Sequence, residues 1–278
     1  MLPWPRPAQS RERVAGVTPI PEPPVHAVDD DHAFAAWAAT VAGDLLTDLR
    51  GQGLRGKELK DAGDLASHEL LTGVLAMHRP HDAVLSEEGL DDKARLNADR
   101  VWIVDPLDGT REFSEPPRDD WAVHVALWAR DGAGGGLVAG AVAQPGLRMT
   151  FHTGSPPVVP VRSSARPRIA VSRTRPPAFV EAMAEEIGAD LVPMGSAGAK
   201  VISVVRDVTD AYVHAGGQYE WDSAAPVAVA RAAGLHTSRI DGSPLTYNQD
   251  DVLLPDLVVC RPELADAILG FVEEHGAG

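Results

Sequence analysis

The chain has little of several things, and each shortage closes off a class of protein. Among its 278 residues there is one cysteine, Cys260, so neither an intramolecular disulfide nor a thiolate zinc site can form. That excludes a secreted, disulfide-stapled scaffold and makes a cytoplasmic location the expectation. Cys260 lies in an apolar strand-like run and reads as an inert core residue. Positive charge is scarce: 25 Lys and Arg stand against 40 Asp and Glu, a formal net charge of −15. A surface this acidic offers no footprint for nucleic acid or an anionic membrane, so neither is expected as a partner. Long apolar runs are also missing. The best, Trp121 to Ala129, is interrupted by His124 and falls far short of the roughly 18 residues of a membrane span. The N-terminus carries Arg6, Arg11 and Arg13 but no apolar segment of a secretory signal. What remains is an ordinary globular composition, 44% hydrophobic, with enough length for one or two packed units.

Seven of the 23 prolines fall within residues 1–26, and a stretch so poor in backbone donors reads as a flexible tail outside the fold. Asp29, Asp30 and Asp31 suit a helix N-terminus, and Phe34, Trp37, Ala38, Val41, Leu45 and Leu46 recur at helical spacing up to Arg50. A Gly/Lys-rich loop is expected over 51–63 and a second helix over 65–77. Val101 to Val104 predicts a buried strand, and the runs 121–127 and 137–142 around a glycine cluster predict a β-hairpin. Beyond Pro156-Pro157, strand candidates (168–172, 209–213, 256–260) alternate with helix candidates (177–187, 197–206, 222–233, 262–275), which favours an α/β layer. The resulting division is a tail (1–26), an N-terminal α+β metal-binding domain (27–160) and a C-terminal α/β substrate-binding domain (161–278).

Acids are unevenly spread. None occurs between Asp131 and Glu181, where Arg148, Arg162, Arg166, Arg168, Arg173 and Arg175 fall, whereas Glu87 to Asp120 holds eleven acids and five bases. The first segment could hold an anion, or could simply be a linker; the second could hold a metal. Several motif-like stretches fail on inspection: Gly51 to Lys57 nearly spells a phosphate-binding loop, but Glu58 stands where a magnesium-ligating hydroxyl is needed.

The informative segment is Glu87-Glu88, followed by Val101-Trp102-Ile103-Val104-Asp105-Pro106-Leu107-Asp108-Gly109-Thr110. A buried strand delivers Asp105 to its carboxyl end, Pro106 stops further pairing, and Asp108-Gly109 is turn chemistry. Two carboxylates about 4 Å apart repel by roughly 4 kcal/mol at an effective dielectric near 20, so Asp105, Asp108 and Glu87 together call for a hard divalent cation. Oxygen ligands with no partner Cys or His select Mg²⁺ or Mn²⁺ over zinc. The backbone N–H groups of Gly109 and Thr110 are placed to receive a phosphate oxygen.

Asp105-Pro106-Leu107-Asp108-Gly109-Thr110, with Glu87-Glu88 ahead of it and Glu220-Trp221-Asp222-Ser223-Ala224-Ala225 downstream, closely resembles the inositol monophosphatase superfamily of magnesium-dependent, lithium-sensitive phosphatases, over residues 30–275. The resemblance implies an α/β fold, layered as an α-β-α-β-α sandwich. It implies two or three Mg²⁺ ions per site, with Mn²⁺ as a substitute: Glu87, Asp105 and the Leu107 carbonyl on the first, and Asp105, Asp108 and Asp222 on the second. It implies Thr110, oriented by Asp64, as the group that helps deprotonate the attacking water. Asp61-Ala62-Gly63 replaces the residues usual before that aspartate. Within the superfamily, Ser172-Arg173-Thr174, Ser196 with Lys200, and Asp241 to Tyr247 are similar to the CysQ-type nucleotide 3'-phosphatases, with Ala197-Gly198-Ala199 lengthening the spacing to Lys200. The similarity implies Ser172, Arg173, Thr174, Ser196 and Lys200 on the substrate, although Ser196 and Lys200 also suit an ordinary helix start. The expected reaction is hydrolysis of the 3'-phosphate of 3'-phosphoadenosine 5'-phosphate to AMP, with its sulfated precursor as a further candidate substrate, in sulfate assimilation, by a monomer or homodimer acting on a small phosphorylated nucleotide. Inositol-1-phosphatase or fructose-1,6-bisphosphatase is the enzymatic alternative, and a non-catalytic Ca²⁺-binding module the alternative of another class.

Overall fold

The computed structural model describes residues 2–3, 20–132 and 134–276. Most of the proline-rich stretch expected as a tail therefore lies outside the described residues. Of its described part, Leu2–Pro3 (β1) pairs with the edge of a sheet, and Ile20 packs against Gly73. A short helix, Val25–Val28 (α1), precedes the long α2, Asp31–Arg50. The side chain of Asp30 caps α2 by accepting from the N–H groups of His32 and Ala33, where the run of three aspartates predicts the helix to start.

The second helix, α3, spans Gly56–His78, so it begins inside the segment expected as a loop. Gly56 and Gly63 read as helix breakers, but Gly63 has another purpose. A Cβ there would stand 2.7 Å from Phe113 Cε1 and 2.9 Å from Leu107 Cδ2. The glycine lets α3 press against the turn after Asp105, and places Asp64 on the helix face next to that turn.

The first sheet runs β1-β6-β5-β4-β3-β2, built from β2 (Ala83–Ser86), β3 (Arg100–Asp108), β4 (Ala122–Ala129), β5 (Gly136–Gln144) and β6 (Met149–His152). Only the β2–β3 pair is parallel, and β4–β5 is the expected hairpin. Between β3 and β4 lies α4 (Thr110–Phe113). The second sheet runs β10-β11-β9-β7-β8, from β7 (Arg168–Ser172), β8 (Asp190–Met194), β9 (Ala211–Tyr219), β10 (His236–Ser238) and β11 (Leu253–Cys260). The helices of this half are α5 (Ala178–Glu186), α6 (Ala197–Val205), α7 (Glu220–Ala232) and α8 (Ala265–His275). β8 escapes sequence reading because it contains Pro193 and lies at a sheet edge, where a missing N–H is tolerated.

Three apolar layers hold the elements together. α2 and α3 cover one face of the first sheet through Phe34, Ala38, Leu46, Leu71 and Trp102. α6 and α7 fill the space between the two sheets with Val201, Ile202, Ala224, Val227 and Ala230. α5 and α8 close the far face through Val180, Met183, Ile268 and Phe271. The expected α-β-α-β-α sandwich is thus what the chain forms. α7 is apolar nearly all round because it lies between two sheets. It comes so close to β5 that a Cβ on Gly140 would stand 2.7 Å from that of Ala228. No helix among the described residues is long and apolar enough to cross a membrane.

Candidate metal centre and active site

The site begins where β3 loses its ladder. Pairing with β4 slips between Asp105 and Asp108, on either side of Pro106. The Asp105 carboxylate accepts the N–H of Leu107 at 3.0 Å, and Ser67 of α3 donates to the carbonyl of Pro106 at 2.6 Å. Gly109 then turns the chain with φ 85°, packed so tightly that a Cβ would stand 3.0 Å from that of Ser196 and 3.3 Å from the Asp120 carbonyl.

Asp108 faces the first turn of α6. It accepts from Ser196 Oγ (2.5 Å), the N–H of Ala197 (3.1 Å) and the N–H of Gly198 (2.6 Å). To meet it, Ser196 adopts φ 36°, a rare backbone for a residue with a Cβ. Burial acts against the Asp108 charge, but His124, Ser196 and Gly198 together hold its pKa down at about 2.

His124 is the residue at the site that sequence reasoning missed. It is fully buried on β4, directly opposite Asp105 in the register. Its Nδ1 pairs with the carbonyl of Trp221 at 3.1 Å, its Nε2 stands 3.2 Å from Asp108 Oδ2, and Nδ1 is 3.9 Å from Asp105 Oδ2. One ligand-type atom from each of Asp105, Asp108 and His124 falls within a 4.8 Å group. An imidazole thus adjoins the carboxylates that the sequence offered as an oxygen-only set. Burial, the largest influence, disfavours the imidazolium, yet the Asp108 carboxylate, the Trp221 carbonyl and Asp222 together outweigh it and raise the His124 pKa. The signal was the polar interruption of an otherwise apolar strand.

Glu87 and Asp222 lie outside that 4.8 Å group but near enough to interact with its charges. Glu87 follows β2, tied by its N–H to the carbonyl of Val104 at 3.3 Å. Asp222 lies in the first turn of α7 and accepts the N–H of Tyr219 at 2.6 Å. Burial and the neighbouring acids Asp222, Asp108 and Glu88 push Glu87 up to about 7. Burial and Asp108 push Asp222 up to about 6, and burial with Glu87, Asp108 and Asp222 carries Asp105 well above the carboxylate range. A divalent cation fits here: four crowded carboxyls form a hard oxygen donor set, and burial and mutual repulsion disfavour their charges until a cation neutralises them.

On the α3 side, Thr110 Oγ1 donates to Asp64 Oδ1 at 3.2 Å and also lies 3.2 Å from the Leu107 carbonyl. Burial and Glu88 raise the Asp64 pKa to about 6. Ser196 joins the cluster directly, as described. Lys200 does not reach it: its ammonium is buried, donates to the carbonyls of Gly195 (3.0 Å) and Ser196 (2.9 Å), and has its pKa lowered by burial. Arg173 binds Glu112 at 2.6 Å and Glu115 at 2.7 Å, while Ser172 and Thr174 flank it at the end of β7. Two further arginines of the acid-free segment are likewise paired with acids from elsewhere, Arg166 with Asp190 and Arg168 with Asp207 and Asp210. Beside the centre, half-exposed Tyr219 stacks on Trp221 with ring centroids 4.8 Å apart and planes 13° from parallel.

The profile of the inositol monophosphatase family matches residues 31–277. The chain is 48% identical to 3'-phosphoadenosine 5'-phosphate phosphatase of Mycobacterium leprae (strain TN) over 256 residues, covering 88% of this chain and 94% of that one. Among solved structures, inositol monophosphatase-II from Staphylococcus aureus MSSA476 superposes with a TM-score of 0.74 at 24% identity, covering 87% of this chain and 95% of that one. CysQ from Bacteroides thetaiotaomicron, a bacterial member of the same family, gives 0.72 at 24%, covering 84% and 98%. At that identity the two structures speak to the fold alone.

Proposed function

We propose that this chain, which belongs to the inositol monophosphatase family, hydrolyses the 3'-phosphate of 3'-phosphoadenosine 5'-phosphate to give AMP and phosphate. The reading rests on the convergence of Glu87, Asp105, Asp108 and Asp222 beside the Thr110 turn, in a chain 48% identical to a phosphatase named for that substrate. The N-terminal part, 27–160, supplies most of the metal centre, and 161–278 supplies Asp222 and the substrate side. The reaction serves sulfate assimilation in the cytoplasm.

Glu87, Asp105, Asp108, Asp222 and the carbonyl of Leu107 would hold Mg²⁺, or Mn²⁺ in its place. When bound, the metal neutralises phosphoryl oxygens and lowers the pKa of the attacking water. The remaining steps belong to the chain. The Gly109 and Thr110 N–H groups, at the start of α4, receive a phosphate oxygen. Thr110, whose hydroxyl proton is directed to Asp64, keeps a lone pair for the water's hydrogen. Asp64, raised to about 6, takes up the proton at neutral pH. A water beside Asp222 protonates the departing 3'-oxygen, and the hydroxide left behind is neutralised by the proton that Asp64 has taken up. Ser172, Arg173, Thr174, Ser196 and Lys200 shape the nucleotide side, Lys200 by holding the Gly195-Ser196 turn. The open face of Tyr219, backed by Trp221, suits the base.

A substrate panel tests the choice of ester. At fixed Mg²⁺, kcat/KM for 3'-phosphoadenosine 5'-phosphate is expected to exceed that for inositol-1-phosphate and fructose-1,6-bisphosphate by at least about a hundredfold, since unmatched polar groups discriminate strongly. Equal or better turnover of inositol-1-phosphate would overturn the nucleotide reading.

A further inference from the structure

Arg95 is the most deeply buried cation outside the metal cluster, 1% exposed, in the short helical turn Lys93–Asn97. Each nitrogen of its guanidinium donates. Nε and Nη2 grip the Asp91 carboxylate at 2.7 and 3.0 Å, Nη1 donates to Asn248 Oδ1 at 2.7 Å, and Nη2 donates to the carbonyl of Gln249 at 2.8 Å. The chain of bonds continues. Glu220, also 1% exposed, accepts the N–H of Asn248 with one oxygen and that of Gln249 with the other, each at 2.7 Å. Asn248 takes φ 60° to present both its side chain and its N–H. Lys93 adds a second tie across the same gap, 2.9 Å from Asp91 and 3.1 Å from Asp250.

The two ends of this bridge are the segments that carry Glu87 and Asp222. Asp91 is four residues after Glu87, and Glu220 opens α7 two residues before Asp222. Asp222 is among the acids that disfavour charge on Glu87, so like charge alone would spread the two. A rigid bidentate fork resists that spreading where a flexible ammonium does not. We infer that Arg95 is a positioning residue for the metal centre, setting the separation of Glu87 and Asp222 through Asn248 and Glu220. The inference rests on the metal-dependent phosphatase reading and names what holds that site in register.

Mn²⁺ binding, followed by electron paramagnetic resonance on the full chain, tests it independently of turnover. Arg95→Lys is expected to weaken Mn²⁺ about tenfold, the scale of an outer-sphere partner. Asn248→Gly keeps the backbone geometry and removes the Arg95 contact, and is expected to weaken Mn²⁺ severalfold. In both, kcat at saturating Mn²⁺ stays within about twofold of the unaltered protein, so the loss falls on metal affinity. Arg261→Lys is the control: that buried arginine joins Asp207 and Asp210 in another network. It lowers the melting temperature and leaves Mn²⁺ affinity unchanged. If Arg95→Lys does not fold, Asn248→Gly decides alone. The inference is overturned if foldable variants melt early, like the control, yet bind Mn²⁺ as the unaltered protein does. Failure of the unaltered protein to bind Mn²⁺ would remove the phosphatase reading itself, and this inference with it.

Discussion

Asp108 answers to two sets of neighbours. Three donors from the first turn of α6 and the imidazole of His124 already address its two oxygens, and the proposed mechanism asks it to hold a cation as well. Asp108→Asn preserves the shape but sets an N–H₂ group against donors. It is expected to lower kcat by at least about a hundredfold through loss of a ligand. It is also expected to reduce stability by about 1–3 kcal/mol through the mispaired amide. Parallel assays of turnover and urea unfolding separate the two effects; near-normal kcat would dismiss Asp108 as a ligand. The carboxylates were legible in the sequence because their meaning is local: Asp105, Asp108 and Thr110 sit within one turn, and Pro106 and Gly109 announce it. His124 and Arg95 were not, because each is defined by partners far along the chain. Trp221 is 97 positions from His124, and Asn248 is 153 from Arg95. His124 shows in the sequence only as a polar break in an apolar strand, and neither it nor Arg95 carries a mark of the partner it meets.

Secondary structure was readable wherever side chains alternate cleanly, and misread wherever glycine or proline serves packing. α3 is the sharpest case, since its first turns were expected as a loop. Replacing Gly63 by alanine sets two effects against each other. Helix propensity favours alanine by about 1 kcal/mol. Against that, the new methyl would meet Phe113 at 2.7 Å and Leu107 at 2.9 Å, and overpacking of this kind costs about 1–3 kcal/mol. The clash is expected to win. Gly63→Ala should lower the melting temperature and, by pushing Leu107 and the turn ahead of Thr110, reduce kcat more than it raises KM. A rise in melting temperature with unchanged kcat would show that α3 can move away from the turn. The same logic explains Pro193 in β8, where a residue that forbids a central strand is admitted at an edge.

For the whole molecule, the acid cluster makes stability a function of pH and metal together. Glu87 at about 7, Asp222 and Asp64 at about 6, and Asp105 well above its ordinary value all hold protons in the folded state that the unfolded chain gives up near pH 4. Between about pH 4 and 7 the native state therefore binds more protons than the unfolded one. Stability contributed by these groups is fully present below the lower value and is lost as pH rises through the upper. Asp108, held at about 2, has the opposite sign but loses its contribution only below about pH 4, outside this window. With the metal removed by EDTA, the melting temperature is expected to fall between pH 5 and 7.5. Mg²⁺ at a hundredfold excess over its dissociation constant returns roughly 2.7 kcal/mol per site, about 5–10 °C for a chain of this size. The gain is larger at pH 7.5, where the ligands are charged, than at pH 5, where protons compete. The net charge of −15 would also make the chain less stable as pH rises, so the slope alone does not identify the cluster. Glu87→Gln does: it removes one raised carboxylate at the price of a single charge, and is expected to flatten the EDTA curve and shrink the Mg²⁺ shift together. A Glu87→Gln protein with the same slope and the same Mg²⁺ response would assign the pH dependence to overall charge and leave the cluster without its cation.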